Sequence, residues 1–153
     1  MSNKVILLKT ILIDTSSLHS LVKSGSSAVD SKDLGLIDEP ERRRIGDSLN
    51  LDEASRHEYP NANRWDYIVS VKDLRKLVGI EPHTLNDSQI RVVIKKKEHA
   101  QEYLRKHLKK GFHVSTWYWV SHGRTGFTNT EKARRTLDQN GITFKTRMIT
   151  KFE

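Results

Sequence analysis

The sequence predicts an α/β or α+β fold with a mixed central sheet flanked by helices. After residue 60, short runs rich in β-branched and aromatic residues alternate with helix-forming segments, and glycine or proline separates them. The chain has 153 residues and no cysteine, which suits one core and excludes disulfides and thiolate metal sites. We therefore predict a single domain over 1–153, with a strand, helices and loops in 1–60 and a basic α/β core in 61–153.

The net charge of +8 is concentrated in the second part of the chain. Residues 1–60 carry eight Lys and Arg against ten Asp and Glu, whereas 61–153 carry nineteen against nine. A basic surface of this kind is typical of a protein that contacts a polyanion, so we expect nucleic acid, DNA or RNA, as a partner. The absence of cysteine and of a long apolar segment favours a cytoplasmic protein that does not bind a membrane.

The first sixty residues give weaker signals. Val5 to Ile13 is the most apolar run and predicts a buried strand, and its nine residues are too few to cross a membrane. N-cap residue types from Asp14 to Ser17 predict a short helix that ends near Gly25. The polar stretch 24–52 predicts loops around one short helix, and residues 24–60 suggest no function.

The remaining residues predict a regular alternation of strands and helices. A long helix follows the capping residues Asn86 to Ser88 and stops at Gly111, and a later helix is capped by Thr128 or Thr130. The predicted elements are strands at 65–71, 78–83, 113–121 and 142–149, a helical turn at 73–77, and helices at 88–109 and 131–139.

One lysine interrupts the apolar stripe of the long helix. Continuing the helical spacing through the middle of the stripe places Lys97 where a core residue is expected, so Lys97 is predicted to face the sheet. Lys95 and Lys96 project to the flanks, where solvated lysines are common. Alternatively, the stem of Lys97 covers apolar surface while its ammonium reaches water. The stripe consists of Ile90, Val93, Ile94, Leu104 and Leu108.

Two acids lie on the strands that precede this helix. Asp66 belongs to the first strand, and Glu81 and His83 share one face of the second because they are two residues apart. Carboxylates on adjoining strands are suitable ligands for Mg²⁺ or Mn²⁺, with a lysine or histidine nearby to stabilise phosphate charge or activate water. The alternative is that both acids form ordinary ion pairs with neighbouring Lys and Arg.

The order of Asp66, then Glu81-x-His83, a helix and two further strands resembles the restriction-endonuclease-like superfamily of PD-(D/E)XK nucleases over residues 55–150. The resemblance implies a restriction-endonuclease-like core in which Asp66 and Glu81 bind a divalent metal. His83 stands where the family has lysine, and Lys97 matches the position to which the basic residue has migrated in some members. The implied catalytic set is Asp66, Glu81, His83 and Lys97.

Further basic and aromatic residues fit a nucleic-acid surface. Trp117 and Trp119 share one face of a strand and Tyr118 the other, so the tryptophans either pack in the core or, if exposed, stack on bases. The residues predicted to contact nucleic acid are Lys95, Lys96, Arg124, Arg134, Arg135 and Arg147.

Other patterns keep alternatives open. Asp14, after an apolar run, resembles the metal-binding Asp of PIN-domain ribonucleases, but few later acids could complete that site. His57, His113 and His122 could serve a metal-independent ribonuclease. We favour a metal-dependent phosphodiesterase, either a DNase or an RNase. The alternatives are a non-catalytic nucleic-acid-binding or regulatory module and a module that binds an acidic protein, and self-association stays open.

Overall fold

The computed structural model describes residues 5–123 and 126–153. Its centre is a six-stranded sheet in which the strands lie side by side in chain order. Neighbours from β1 to β4 are antiparallel, whereas β4, β5 and β6 are parallel, which confirms the predicted mixed sheet. The strands are β1 Lys23–Ser24, β2 Ile45–Asn50, β3 Tyr67–Val71, β4 Lys76–Pro82, β5 Val114–Ser121 and β6 Ile142–Thr146.

Two long helices make the crossovers between the parallel strands. Of the six α-helices in the described residues, α5 links β4 to β5 and α6 links β5 to β6, as parallel pairing requires. The α-helices are α1 Leu8–Ile11, α2 Ser31–Leu34, α3 Glu39–Arg42, α4 Leu51–Arg56, α5 Ile90–Arg105 and α6 Thr130–Gln139, and 3₁₀ turns cover Ser17–Ser20, Lys72–Leu74 and Asp87–Gln89. None of the helices in the described ranges is long and apolar enough to span a membrane.

The core has one apolar cluster on each face of the sheet. Trp117 and Trp119 pack on the face that α5 and α6 cover, and Tyr118 packs on the other face with Phe152. The side chains of both tryptophans are buried. They are therefore core residues, and the alternative in which they form an exposed base-stacking platform is wrong.

Gly79 in β4 allows two tryptophans to pack below the sheet. A Cβ atom at this position would lie 2.6 Å from the Trp117 ring and 3.0 Å from Trp65 Nε1. The two indoles meet edge to face at a centroid distance of 4.9 Å. This close approach fixes the middle of β4, two residues before Glu81.

The elements predicted after residue 60 are present with shifted ends. The long helix is shorter than expected, the last strand stops at Thr146, and α6 is capped by Asn129, whose side-chain oxygen accepts from the N–H of Lys132, rather than by either predicted threonine. The predicted short helix after Asp14 is the 3₁₀ turn at Ser17–Ser20. Sequence patterns therefore located these elements to within a few residues.

Two predictions for the first sixty residues are wrong. The apolar run from Val5 to Ile13 contains α1 instead of a strand, and the predicted loops include the buried strand β2. Asp47 of β2 accepts hydrogen bonds from the backbone N–H groups of Leu8 at 2.9 Å and Lys9 at 3.0 Å. A carboxylate distant in sequence thus satisfies the free donors at the start of α1.

Candidate functional site

The candidate site lies where β3 begins and β4 ends. Because these strands are antiparallel, with Tyr67 opposite Ile80, the start of one lies beside the end of the other. Asp66 immediately precedes β3, and Glu81 is the second-to-last residue of β4. The same edge carries the carboxyl ends of the parallel strands, the usual location of ligand sites in open sheets.

Glu81 is the centre of this site. Its side chain is 1% exposed, and one carboxylate oxygen, Oε1, accepts the backbone N–H of Asp66 at 2.9 Å. The other oxygen, Oε2, lies 2.6 Å from Nζ of Lys96. The register places the fully buried Trp119 beside it in β5. Glu81 is thus a carboxylate almost completely shielded from solvent that accepts one backbone N–H and one ammonium.

The two acids perturb each other. The pKa of Glu81 is raised to about 8, chiefly by burial and also by the neighbouring Asp66 charge, against the opposing effect of Lys96. The pKa of Asp66 is likewise raised to about 6, chiefly by burial and also by the charges of Asp52 and Asp33, again against the effect of Lys96. Negative charge on this pair is therefore costly, and a cation placed between the carboxylates would relieve the cost.

The lysine bonded to Glu81 is Lys96, whereas Lys97 faces the sheet, as predicted, at Trp117 of β5 and not at the acids. The ammonium of Lys97 lies 5.9 Å from the centroid of the Trp117 ring and packs against Gly141, and burial lowers its pKa. Lys96, expected on a solvated flank, has a side chain only 16% exposed. Lys95 is exposed, as predicted.

His83 lies at the same edge but bonds to a different residue. A ring nitrogen, Nε2, is 2.7 Å from Oε1 of Gln89, in the 3₁₀ turn before α5, and its backbone N–H donates to the carbonyl of Val120 at 3.0 Å. The imidazole is therefore hydrogen-bonded to the turn that precedes α5, and the backbone of His83 extends the contact between β4 and β5 beyond Pro82.

The predicted nucleic-acid contacts are dispersed. Arg147 follows β6 at the edge of the site, and its backbone N–H donates to the carbonyl of Ser121 at 2.8 Å. Its φ of 72° is left-handed, an unfavourable conformation for arginine that is more frequent at functional positions. On α6, the Arg134 guanidinium lies 4.8 Å from the centroid of Phe144 and Arg135 is exposed. Arg124 lies outside the described residues.

Sequence reasoning missed the acids that surround Asp66. Asp33 belongs to α2, in the stretch predicted to be loops, and its side chain is buried. Asp52 belongs to α4 and bonds to both Arg56 and Arg64, each at 2.8 Å. No local signal in the sequence connects these residues to Asp66, because the contacts depend on the placement of β2 and its neighbours.

The protein offers two carboxylates to a metal ion. Within the described ranges, no cluster of three or more His, Asp or Glu is arranged to hold one. Asp66 and Glu81 supply hard oxygen donors in a site that disfavours uncompensated negative charge. Mg²⁺ commonly takes one or two carboxylates and completes its shell with water and phosphate oxygens, and here both oxygens of Glu81 already accept from Asp66 and Lys96, so a metal ion would have to share them.

No family model, curated protein sequence or solved structure matches this chain. Its function is therefore inferred from the chemistry of the site.

Proposed function

We propose that this protein is a metal-dependent phosphodiesterase that hydrolyses nucleic acid. The observation that carries the proposal is the pair Asp66 and Glu81, coupled to each other and to Lys96 at a sheet edge of a strongly basic chain. Strongly perturbed acids with a specific charge partner are typical of functional sites. The resemblance to restriction-endonuclease-like nucleases assigns the same two acids to the metal.

Each residue has a distinct role in this proposal. Asp66 and Glu81 bind Mg²⁺ or Mn²⁺, which would supply Lewis acidity toward the phosphate and activate water. Lys96 neutralises negative charge at the phosphate, and its bond to Glu81 holds the ammonium in position. Lys96 thus takes the role that the sequence suggested for Lys97. His83 stabilises the turn before α5 through its hydrogen bond with Gln89.

The basic surface accounts for binding. Lys95 is exposed on α5 next to Lys96, and Arg147 follows the end of β6 at the same edge. Neutralisation of phosphates by such residues releases counterions, so affinity falls steeply with salt. We therefore propose a polyanionic substrate whose backbone crosses the edge of the sheet.

One observation favours a non-catalytic alternative. The ammonium of Lys96 already compensates Glu81 at 2.6 Å, as in a purely structural buried ion pair. In that case the protein binds nucleic acid through the same basic surface without cleaving it. Cleavage assays separate the two functions because only the phosphodiesterase depends on the two carboxylates and on a divalent metal.

The test uses end-labelled single- and double-stranded DNA and RNA, with Mg²⁺, Mn²⁺ or EDTA. We expect Asp66→Asn and Glu81→Gln to reduce metal-dependent cleavage at least about a hundredfold. Glu102→Gln, which changes an exposed acid on α5, is the matched control and keeps wild-type activity. Wild-type cleavage by folded Asp66→Asn and Glu81→Gln proteins would contradict the proposal.

The lysines provide a second comparison. Lys96→Met removes the ammonium bonded to Glu81, so we expect a loss of cleavage comparable to that of the acid variants. Lys97→Met removes an ammonium that lies over Trp117 and makes no contact with Glu81, so we expect activity within about threefold of wild type. The reverse ranking would restore the role predicted for Lys97. Binding that persists without cleavage in either metal would favour the non-catalytic module.

A further inference from the structure

A second polar cluster lies at the same edge, on the opposite face of the sheet from Glu81. It consists of Asp33 on α2, Tyr67 at the start of β3 and His122, the residue after β5. Tyr67 pairs with Ile80 and packs with it on one face, so Glu81, the next residue of β4, leaves the sheet on the other face. The two clusters therefore flank the edge, one on each side.

Asp33 is held firmly within this cluster. Its side chain is 9% exposed, and Oδ2 accepts the hydroxyl hydrogen of Tyr67 at 2.6 Å. The same hydroxyl oxygen accepts the backbone N–H of Asp30 at 3.2 Å. Burial and the neighbouring carboxylate raise the pKa of Tyr67, which keeps the phenol protonated and able to donate. Asp33 is therefore a buried carboxylate with a fixed orientation.

The remaining oxygen of Asp33 faces a histidine that reaches solvent. Oδ1 lies 3.3 Å from Nε2 of His122, whose side chain is 56% exposed. A buried carboxylate that holds one nitrogen of an imidazole orients the ring, as in hydrolases that use histidine for proton transfer. The exposed part of the ring stays accessible to a bound substrate.

The cluster and the carboxylate pair lie at the ends of neighbouring strands. His83, directly beyond β4, donates its backbone N–H to Val120, so the ends of β4 and β5 lie side by side. The charge of Asp33 also contributes to the raised pKa of Asp66. A phosphodiester that crosses the edge between the two faces would therefore meet Lys96 on one side and His122 on the other.

We propose that His122, oriented by Asp33, is the general acid that protonates the leaving oxygen during phosphodiester hydrolysis. This inference rests on the proposed function and adds a catalytic residue to it. A water oxygen bonds to phosphorus and releases a proton to solvent. The bond from phosphorus to the leaving oxygen breaks, and its electron pair takes a proton from the His122 imidazolium. The neutral imidazole then regains a proton from solvent.

The test compares two oligonucleotides that differ at one atom. One is a substrate that the wild-type protein cleaves, and the other carries sulfur in place of the bridging oxygen that leaves, identified from the ends of the wild-type products. A thiolate leaves without protonation, so a general acid matters only for the oxygen substrate. We expect His122→Gln to slow cleavage of the oxygen substrate about a hundredfold and cleavage of the sulfur substrate less than about threefold.

Two further variants separate catalysis from folding. Asp33→Asn tests the positioning residue, and we expect a smaller loss that is again confined to the oxygen substrate. His113→Gln changes an exposed histidine just before β5, at the opposite end of that strand from His122, and serves as the matched control with wild-type rates on both substrates.

The possible failures can be told apart. Equal losses on both substrates, or no loss on either, for folded His122→Gln protein would overturn the general-acid role and leave the metal site intact. If the wild-type protein cleaves neither substrate with Mg²⁺ or Mn²⁺, the proposed function fails, and the role of His122 fails with it.

Discussion

Replacing Glu81 by glutamine should make the protein more stable at alkaline pH. Gln has nearly the same shape as Glu, and its single amide oxygen can accept from either the backbone N–H of Asp66 or the ammonium of Lys96, much like a protonated Glu81. The variant therefore keeps the packing around β4 and removes the buried negative charge, together with one of the two hydrogen bonds that the carboxylate accepts. Such a gain is expected where a site is built for function at the expense of stability.

The magnitude follows from the raised pKa of Glu81. Burial raises it from 4.5 to about 8, so the folded protein binds a proton that the unfolded chain has lost at intermediate pH. The free energy of unfolding must then fall as the pH rises from 4.5 toward 8. At 1.36 kcal/mol per pKa unit, the loss is at most roughly 5 kcal/mol above pH 8 and roughly 3 kcal/mol at pH 7.

Urea denaturation of wild type and Glu81→Gln at pH 5, 6, 7 and 8, without divalent metal, measures this effect. We expect similar stability at pH 5, where Glu81 is protonated in the folded protein, and an advantage for the variant that grows to a few kcal/mol at pH 8. Glu102→Gln, at an exposed position, should follow the wild-type curve. Parallel curves for wild type and Glu81→Gln across this range would refute the account of Glu81 as a desolvated acid.

Three further outcomes are expected. Mg²⁺ or Mn²⁺ at about a hundred times its dissociation constant should stabilise the wild-type protein by roughly 2.7 kcal/mol at pH 7.5 and leave the stability of Asp66→Asn unchanged. A thermal-shift titration measures both, and equal shifts of the melting temperature in the two proteins would mean that the metal binds elsewhere. Asp47→Ala should lower the free energy of unfolding by about 3 kcal/mol, because it leaves the backbone N–H groups of Leu8 and Lys9 without an acceptor. A loss below about 1 kcal/mol would contradict the role of Asp47 as the acceptor that stabilises α1. Nucleic-acid affinity, followed by fluorescence anisotropy, should fall linearly on a log–log plot against salt, and Arg147→Ala should reduce the slope by about one if Arg147 contacts a phosphate.

The second half of the fold could be predicted because its patterns are local. The three adjacent aromatics at 117–119 occupy both faces of β5 as strand alternation requires, and Gly111 and Gly141 follow the two long helices with positive φ. The first half depends on distant contacts. Leu8, Ile11 and Leu12 are buried with helical spacing, but the short helix is stabilised by Asp47, which no pattern within the run reveals.

The candidate site was predictable in part. Asp66 directly precedes β3 and Glu81 lies in β4, so the adjacency of the two strands was enough to bring the residues together. The spacing could not distinguish the two lysines. The buried residues of α5 are Val93, Ala100, Tyr103 and Leu104, and both Lys96 and Lys97 lie between them at helical spacing. Lys97 meets Trp117 of β5, and only Lys96 reaches Glu81.

The dyad of Asp33 and His122 could not be predicted. It joins a short helix in an irregular segment to the residue after β5, and Asp33 and His122 are 89 positions apart in the chain. Only the sheet order, which places β3, β4 and β5 side by side, brings these parts of the chain to one edge.

The most direct test of the central claim is a cleavage time course with wild-type and Asp66→Asn proteins, each in Mn²⁺ and in EDTA. We predict cleavage of an end-labelled oligonucleotide only by the wild-type protein with Mn²⁺. Cleavage by wild type that survives EDTA, or equal rates for wild type and folded Asp66→Asn, would contradict a metal-dependent phosphodiesterase built on Asp66 and Glu81.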